Sequence, residues 1–173
     1  QASSATKRIL SVLGLAPNFV MVPCPNIDNC AAVTLSDGFR YIVYDKEFMQ
    51  EIANTANTDW TSVSILAHEI GHHLQGHTLR RSELSESRSV ELEADRFSGF
   101  VLQKLGASLE QAQAAMNVIP HPTDDDYSDH PAKWKRLNAI EEGWKDAAGL
   151  GNAAPEIEIP ELEAIEHTDA TEL

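Results

Sequence analysis

The chain has 173 residues, of which 42% are hydrophobic and 23% are charged, as in a soluble globular protein with one domain and a core. Its formal net charge of −14 argues against a nucleic-acid partner, because no basic surplus exists to neutralise phosphates. No apolar run approaches the ~20 residues that span a bilayer. Because the chain begins at Gln1 and not at Met, we interpret it as a mature or trimmed chain, and we expect an exported or periplasmic location over a cytoplasmic one.

Hydrophobic periodicity and turn residues predict a helix and a small sheet in the first part of the chain. Asp45 is placed to cap the helix that follows the sheet. The predicted elements are a helix over 4–13, a strand over 19–22, a hairpin that turns at 36–38 and a helix over 46–56.

The second part of the chain is predicted to be helical. Asp59 or Thr61 can cap its first helix, and Ser108 with Gln111 is a capping-box signature. The predicted elements are a helix to about Leu79, a loop over 80–87, and helices over 90–105, 108–117 and 131–146. We therefore predict an α+β domain over 1–148, mostly helical with a small hairpin sheet.

The composition changes after Gly149. Residues 147–173 hold seven of the 27 acidic residues and no Lys or Arg, so we interpret 149–173 as an acidic tail or linker. The segment PEIEIPELE alternates acidic and apolar residues, and this strand-like period raises the alternative that the tail occludes a cleft. The two cysteines, Cys24 and Cys30, are compatible with free thiols or with a short-loop disulfide, and both readings stay open.

The stretch HEIGH provides the pattern HExxH through His68, Glu69 and His72. On a helix, positions i and i+4 share a face, so both imidazoles can reach one metal ion. Glu69 lies beside them and can take a proton from a metal-bound water. The preceding residues are apolar and typical of a core, and polar groups delivered there need partners.

Two further histidines follow the motif. At about 100° per residue, His73 lies ~140° and His77 ~180° around the helix from His68, so we predict that both face away from the ion, as surface or second-layer residues. Gln75 and Thr78 occupy the positions where metzincins have a Gly and a third His. A third ligand must therefore come from elsewhere in the chain.

The segment VELEAD supplies the best candidate for that ligand. Glu91 and Asp95 are four residues apart and share a helix face. With Glu91 as ligand, the site has two histidines, one glutamate and an open position, as catalytic zinc sites do. Asp95 can then accept the other ring N–H of a ligand, which we expect to be His68.

A second polar segment, DHPAKWKRL, offers groups for a developing oxyanion. His130 precedes a predicted helix, and Arg136 follows six residues later. A second His–Pro pair begins at His121, but no arginine stands six residues beyond it. We interpret His121 and His167 as surface residues.

Together, HEIGHHLQGH, ELEADRF and HPAKWKRL resemble the gluzincin metallopeptidases of the CAAX-prenyl-protease and HtpX-like type. The family pattern is HExxH with a His five residues later, then ExxxD, then HP followed by Arg. The positions that match it are His68, Glu69, His72, His77, Glu91, Asp95, His130 and Arg136. The resemblance implies a zincin-like fold and one Zn²⁺ held by His68, His72 and Glu91. It also implies that Glu69 is the base and that His130 and Arg136 face the transition state.

The segment NCAAV resembles the family's edge strand, which binds extended substrates by strand addition. The residues concerned are Asn29, Ala31 and Ala32, and an exposed strand edge does offer backbone donors and acceptors to a peptide. An ordinary hairpin strand is the alternative for this segment.

These features predict a zinc-dependent endopeptidase that acts on protein or peptide substrates. Glu69 would serve as general base toward the attacking water. The alternative is a catalytically silent, zinc-stabilised module that binds peptides or acts as a chaperone. Many members of the family carry membrane spans and this sequence has none, so we do not carry over substrates such as prenylated peptides.

Overall fold

The computed structural model describes residues 2–79, 84–125, 128 and 130–149, with the backbone alone for 84–86. These residues form a mostly helical α+β domain with a small sheet, as predicted, and the sheet has three strands. Its elements are α1 (Ala2–Leu13), β1 (Val20–Pro23), β2 (Cys30–Thr34), β3 (Arg40–Tyr44), α2 (Lys46–Ala56), α3 (Trp60–Leu74), a 3-10 helix (His77–Leu79), α4 (Leu84–Lys104), α5 (Leu109–Val118) and α6 (Lys133–Ala147).

Helix α3 is the central element of the domain. Leu66, Ala67 and Ile70 are fully buried, because α3 packs against α1, α2, α4, α5 and the sheet. The buried residues of α3 also include the polar Thr61, Ser64 and His73. The polar groups that α3 carries are therefore held in the interior of the domain.

The sheet has the order β1-β3-β2, with β1 parallel and β2 antiparallel to β3. The predicted hairpin of β2 and β3 is confirmed, and β2 lies at an edge. Cys24 and Cys30 flank Tyr44 from opposite sides, since the Cys24 N–H donates to the Tyr44 carbonyl at 2.9 Å and Cys30 is the partner of Tyr44 in β2. Two strand spacings amount to ~10 Å, beyond the reach of a disulfide, and both cysteines are free thiols.

Asp45 caps α2 as predicted and also fixes the loop that leads into β2. One carboxylate oxygen accepts from the N–H of Glu47 at 2.9 Å, and the other accepts from the N–H of Ile27 at 3.1 Å. Burial would raise the pKa of Asp45, but backbone N–H donors outweigh it and lower that pKa. The predicted capping box of Ser108 and Gln111 on α5 is also confirmed.

Three predicted helix boundaries are wrong. Helix α3 ends at Leu74 and not near Leu79, because Gly76 takes a left-handed conformation with φ of 74° and reverses the chain. Helix α4 begins at Leu84, inside the predicted loop. Helix α6 begins at Lys133, two residues after the proline expected to open it.

Asp59 precedes α3 but makes no side-chain cap. Thr58 provides a side-chain cap instead, because its hydroxyl accepts from the Trp60 N–H at 3.3 Å.

Within the described part of the chain, no helix combines the length and apolarity needed to cross a membrane. The predicted tail lies outside the described residues from position 150 onward.

Helices α4 and α6 approach each other at two glycines. A Cβ atom on Gly99 would lie 2.0 Å from the backbone oxygen of Ile140, and one on Gly143 would lie 1.8 Å from that of Arg96. Side chains at these positions would separate the helices. The two glycines therefore set the distance between α4 and α6, which carry Asp95 and Arg136.

We expect Gly99→Ala to lower the free energy of unfolding by at least about 2 kcal/mol, because backbone atoms cannot yield to the added methyl group. Gly71→Ala on α3 is the matched control, since its nearest neighbour at 2.9 Å is the side chain of Phe97, which can rotate away. Urea unfolding followed by circular dichroism measures both. Equal losses for the two variants would contradict the close backbone approach.

Candidate metal centre and cleft

A cleft of about 540 Å³ runs beside α3. Helix α3 forms its floor, β2 borders it, and α4, α5 and α6 contribute further side chains. Every residue predicted to belong to the site lines this cleft. These residues are Asn29, Ala31, Ala32, His68, Glu69, His72, Glu91, Asp95, His130 and Arg136. Residues from β2, α3, α4 and α6, with Asn29 and His130 from loops, thus meet at one site.

Three of these side chains form a group that can hold a metal ion. The Nε2 atoms of His68 and His72 are 3.0 Å apart, and the Glu91 carboxylate oxygens lie 3.4 Å from the first and 3.3 Å from the second. Among the described residues, these three have one ligand atom each within 4.8 Å of the others. The prediction that α4 supplies the third member of the group agrees with this geometry.

The outer nitrogen of His68 contacts Asp95, as predicted. Its Nδ1 lies 2.9 Å from Asp95 Oδ1, so Nδ1–H can donate to the carboxylate. Arg136 donates to the same carboxylate through Nε at 2.7 Å and Nη2 at 2.9 Å. Asp95 is only 2% exposed, and these two partners are what make its buried charge tolerable.

Arg136 therefore makes a different contact from the one expected. We predicted that its guanidinium would face a transition state, but two of its nitrogens are engaged by Asp95, and Nη2 also lies 3.4 Å from Glu91. In this position Arg136 holds two carboxylates of the site. His130 lies nearer the rim, with its side chain 52% exposed and its Nδ1 3.6 Å from Glu91 Oε2.

His77 is not a member of the metal-binding group and is one of the second-layer residues that the sequence predicts as an alternative to the surface. Its Nδ1 lies 3.0 Å from the Nδ1 of His72, and its side chain is only 8% exposed. The predicted rotation of ~180° does not describe its position, because it applies to a continuous helix, whereas Gly76 turns the chain and brings His77 back over α3. His73 faces away from the metal-binding group, as predicted. Its Nε2 contacts the Tyr41 carbonyl of the sheet at 2.8 Å.

His121 is a site residue that the sequence reasoning assigned to the surface. It lines the cleft, its Nε2 is buried, and its Nδ1 is the acceptor for Arg136 Nη1 at 3.5 Å. Burial first, and then the neighbouring guanidinium, lower the pKa of His121 to about 4, so the ring is neutral. No spacing in the sequence indicates this contact, since a loop carries the residue. The other histidine assigned to the surface, His167, lies outside the described residues.

Two carboxylates of the cleft, those of Glu69 and Asp95, are not members of the metal-binding group, and Asp95 is the one engaged by His68 and Arg136. Glu69 makes a different contact. Its Oε2 accepts from the backbone N–H of Ala32 at 2.6 Å. The Ala32 N–H therefore points to the open edge of β2. By the alternation of an antiparallel ladder, Ala31 directs its backbone groups toward β3, as does Asn29, whose carbonyl accepts from the Asp45 N–H.

The charges of the cleft favour a cation. Among the described lining residues, the three carboxylates of Glu69, Glu91 and Asp95 outnumber the single guanidinium of Arg136. Burial would lower the pKa of His68, but Asp95 and the other carboxylates raise it to about 10. The same carboxylates attract a divalent cation.

Scans against protein-family models, curated proteins and solved structures found no match to this chain. The contacts of the cleft therefore carry the functional assignment.

We expect the protein to bind one equivalent of Zn²⁺ and Glu91→Ala to retain less than about one tenth of that metal, because two histidines alone leave the ion without its anionic ligand. Inductively coupled plasma mass spectrometry after gel filtration measures the zinc content. Glu110→Gln, on α5 and outside the cleft, is the matched control and should bind as the wild type does. Full zinc content in Glu91→Ala would contradict the assignment.

Proposed function

We propose that the protein is a zinc-dependent endopeptidase with a zincin-like fold and a gluzincin ligand set. One observation carries the proposal: the Glu69 carboxylate lies beside the metal-binding group, is not part of it, and contacts the open edge of a strand at 2.6 Å from Ala32 N. A structural metal site needs no such carboxylate. A hydrolase needs a base placed between the metal and the substrate.

The donor set fits zinc. Zinc–nitrogen and zinc–oxygen bonds of about 2.0–2.1 Å in a tetrahedron place ligand atoms roughly 3.3–3.4 Å apart. The two Nε2 atoms of His68 and His72 are 3.0 Å apart, and each lies at a similar distance from one Glu91 oxygen, 3.4 Å from Oε2 for His68 and 3.3 Å from Oε1 for His72. When bound there, zinc supplies Lewis acidity and lowers the pKa of water toward neutrality. Three protein ligands leave the fourth position for water or substrate.

Glu69 moves the proton in this proposal. Its carboxylate accepts a proton from the water that attacks the scissile carbonyl and then delivers it to the leaving amine. Burial raises the pKa of Glu69, while the two ligand histidines oppose that shift. His130, at the rim of the cleft, is the residue that we assign to the developing oxyanion.

The open edge of β2 is the surface that we assign to the substrate backbone. Cys30, Ala32 and Thr34 direct their backbone groups away from β3, on the side where β2 borders the cleft. A peptide that pairs with this edge in extended form would pass beside Glu69. Of the three residues predicted from the sequence, Ala32 alone directs its backbone groups to this edge, and a substrate carbonyl that pairs with its N–H would take the place of the Glu69 carboxylate there.

Two sequence predictions accompany this proposal without further support. An exported location stays a prediction. Occlusion of the cleft by the acidic tail also stays a prediction.

Glu69→Gln should keep zinc and lose turnover by a factor of about 10²–10⁴, because the amide cannot accept the proton. Cleavage of unfolded casein by the zinc-loaded protein, with and without a chelator, measures this loss. Glu110→Gln should match the wild type. Near-wild-type cleavage by Glu69→Gln would contradict the role of Glu69, and zinc binding without cleavage by the wild type would favour the peptide-binding or chaperone-like module.

Strand pairing predicts an alternating sensitivity to substrate N-methylation. In a cleaved peptide, methyl groups on backbone nitrogens that face β2 should raise KM at least about tenfold, because each removes a ladder hydrogen bond. Methyl groups on the intervening nitrogens should change KM little, and these peptides are the matched controls. Equal effects at all positions would contradict binding along the edge of β2.

A further inference from the structure

The two histidines of the metal-binding group are arranged alike. Each directs Nε2 toward the group, and each has a partner on its outer nitrogen, Nδ1. For His68 that partner is the Asp95 carboxylate at 2.9 Å, an acceptor that fixes the ring when the inner nitrogen binds a metal. For His72 the partner is another imidazole, that of His77, at 3.0 Å.

Two imidazole nitrogens at this distance require that one donates and the other accepts. A neutral His72 that binds a metal through Nε2 carries its proton on Nδ1, so this nitrogen is the donor. His77 Nδ1 is then the acceptor, and a neutral His77 carries its own proton on Nε2. That Nε2 lies 3.1 Å from Glu93 Oε2, a carboxylate that can only accept when ionised. The donor and acceptor roles along the three residues are thus consistent.

The backbone around His77 holds this ring in place. Gly76 allows the reversal after α3, and His77 opens the 3-10 helix that follows. Next to it, the hydroxyl of Thr78 contacts that of Thr34 at 2.8 Å, which ties the 3-10 helix to the edge strand β2. Glu93 approaches from α4 on the other side. His77 is therefore fixed from two elements and not only by the end of α3.

We propose that His77 is a positioning residue for the metal ligand His72, with Glu93 holding His77 in the accepting tautomer. This inference rests on the metal site of the proposed function. It gives α4 three distinct contributions at alternate positions: Glu91 as a ligand, Glu93 acting on His72 through His77, and Asp95 acting on His68 directly. The fixed tautomer makes the inner nitrogen of His72 the free lone pair that a metal requires.

The test is the zinc affinity of wild type and variants, measured by competition with a chromophoric chelator. His77→Ala removes the acceptor for His72 and should weaken zinc binding about 10–100-fold. His77→Asn places an amide oxygen where Nδ1 now lies, so it should recover affinity to within about fivefold of the wild type. Glu93→Gln should weaken binding less than His77→Ala, because His77 stays in place.

Thr78→Ala is the matched control, because it loosens the same 3-10 helix through the Thr34 contact and leaves the two imidazoles together. It should bind zinc within about threefold of the wild type. Thermal unfolding of the metal-free proteins, recorded in the presence of a chelator, identifies any variant that fails to fold. If His77→Ala does not fold, His77→Asn and Glu93→Gln still carry the test.

Three outcomes would overturn the inference. Unchanged affinity in His77→Ala, with zinc bound by the wild type, would remove the positioning role and leave the proposed function intact. Losses in His77→Asn as large as those in His77→Ala would show that the hydrogen-bond acceptor is not what matters. A wild-type protein that binds no zinc would overturn the proposed function and this inference together.

Discussion

The buried carboxylate of Asp95 is the constraint on which the site depends. It lies on α4, accepts from His68 on α3, and accepts twice from Arg136 on α6. A carboxylate that is 2% exposed is costly without such partners, so all three helices must dock for its charge to be compensated. Gly99 and Gly143 permit that docking by bringing α4 and α6 within backbone contact. The docking that compensates this charge also brings His68 and Glu91 of the metal-binding group together.

The docking of these helices also places two glutamates of the cleft in different positions. Glu91 enters the metal-binding group from α4, whereas Glu69 on α3 is directed to the edge of β2. Their placement follows from α3 being the central helix, since one turn of it can face both α4 and the sheet. A cation at the group and a strand-like peptide at the edge would meet at Glu69. This arrangement is the physical basis for proposing a peptidase over a metal-stabilised binding module.

Positions of residues within helices were predicted correctly from helical periodicity. Positions of residues beyond the end of a helix were not. His68, His72, Glu91 and Asp95 come together as their spacing indicates, because helix geometry fixes which residues share a face. The second-layer position of His77 was among the predicted alternatives, but its predicted rotation was wrong because the left-handed turn at Gly76 ends α3 early. His121 lies on a loop, whose path periodicity cannot give. The pairing of β1 with β3, and with it the separation of the two cysteines, depends on long-range contacts that no local pattern encodes.

X-ray absorption at the zinc edge of the metal-loaded protein tests the central claim most directly. We expect only nitrogen and oxygen neighbours at about 2.0–2.1 Å, in a four-coordinate site with two imidazoles. Glu91→Ala should remove that spectrum. Sulfur scattering at about 2.3 Å would instead place the ion at a cysteine thiolate and contradict the assignment of the site to α3 and α4.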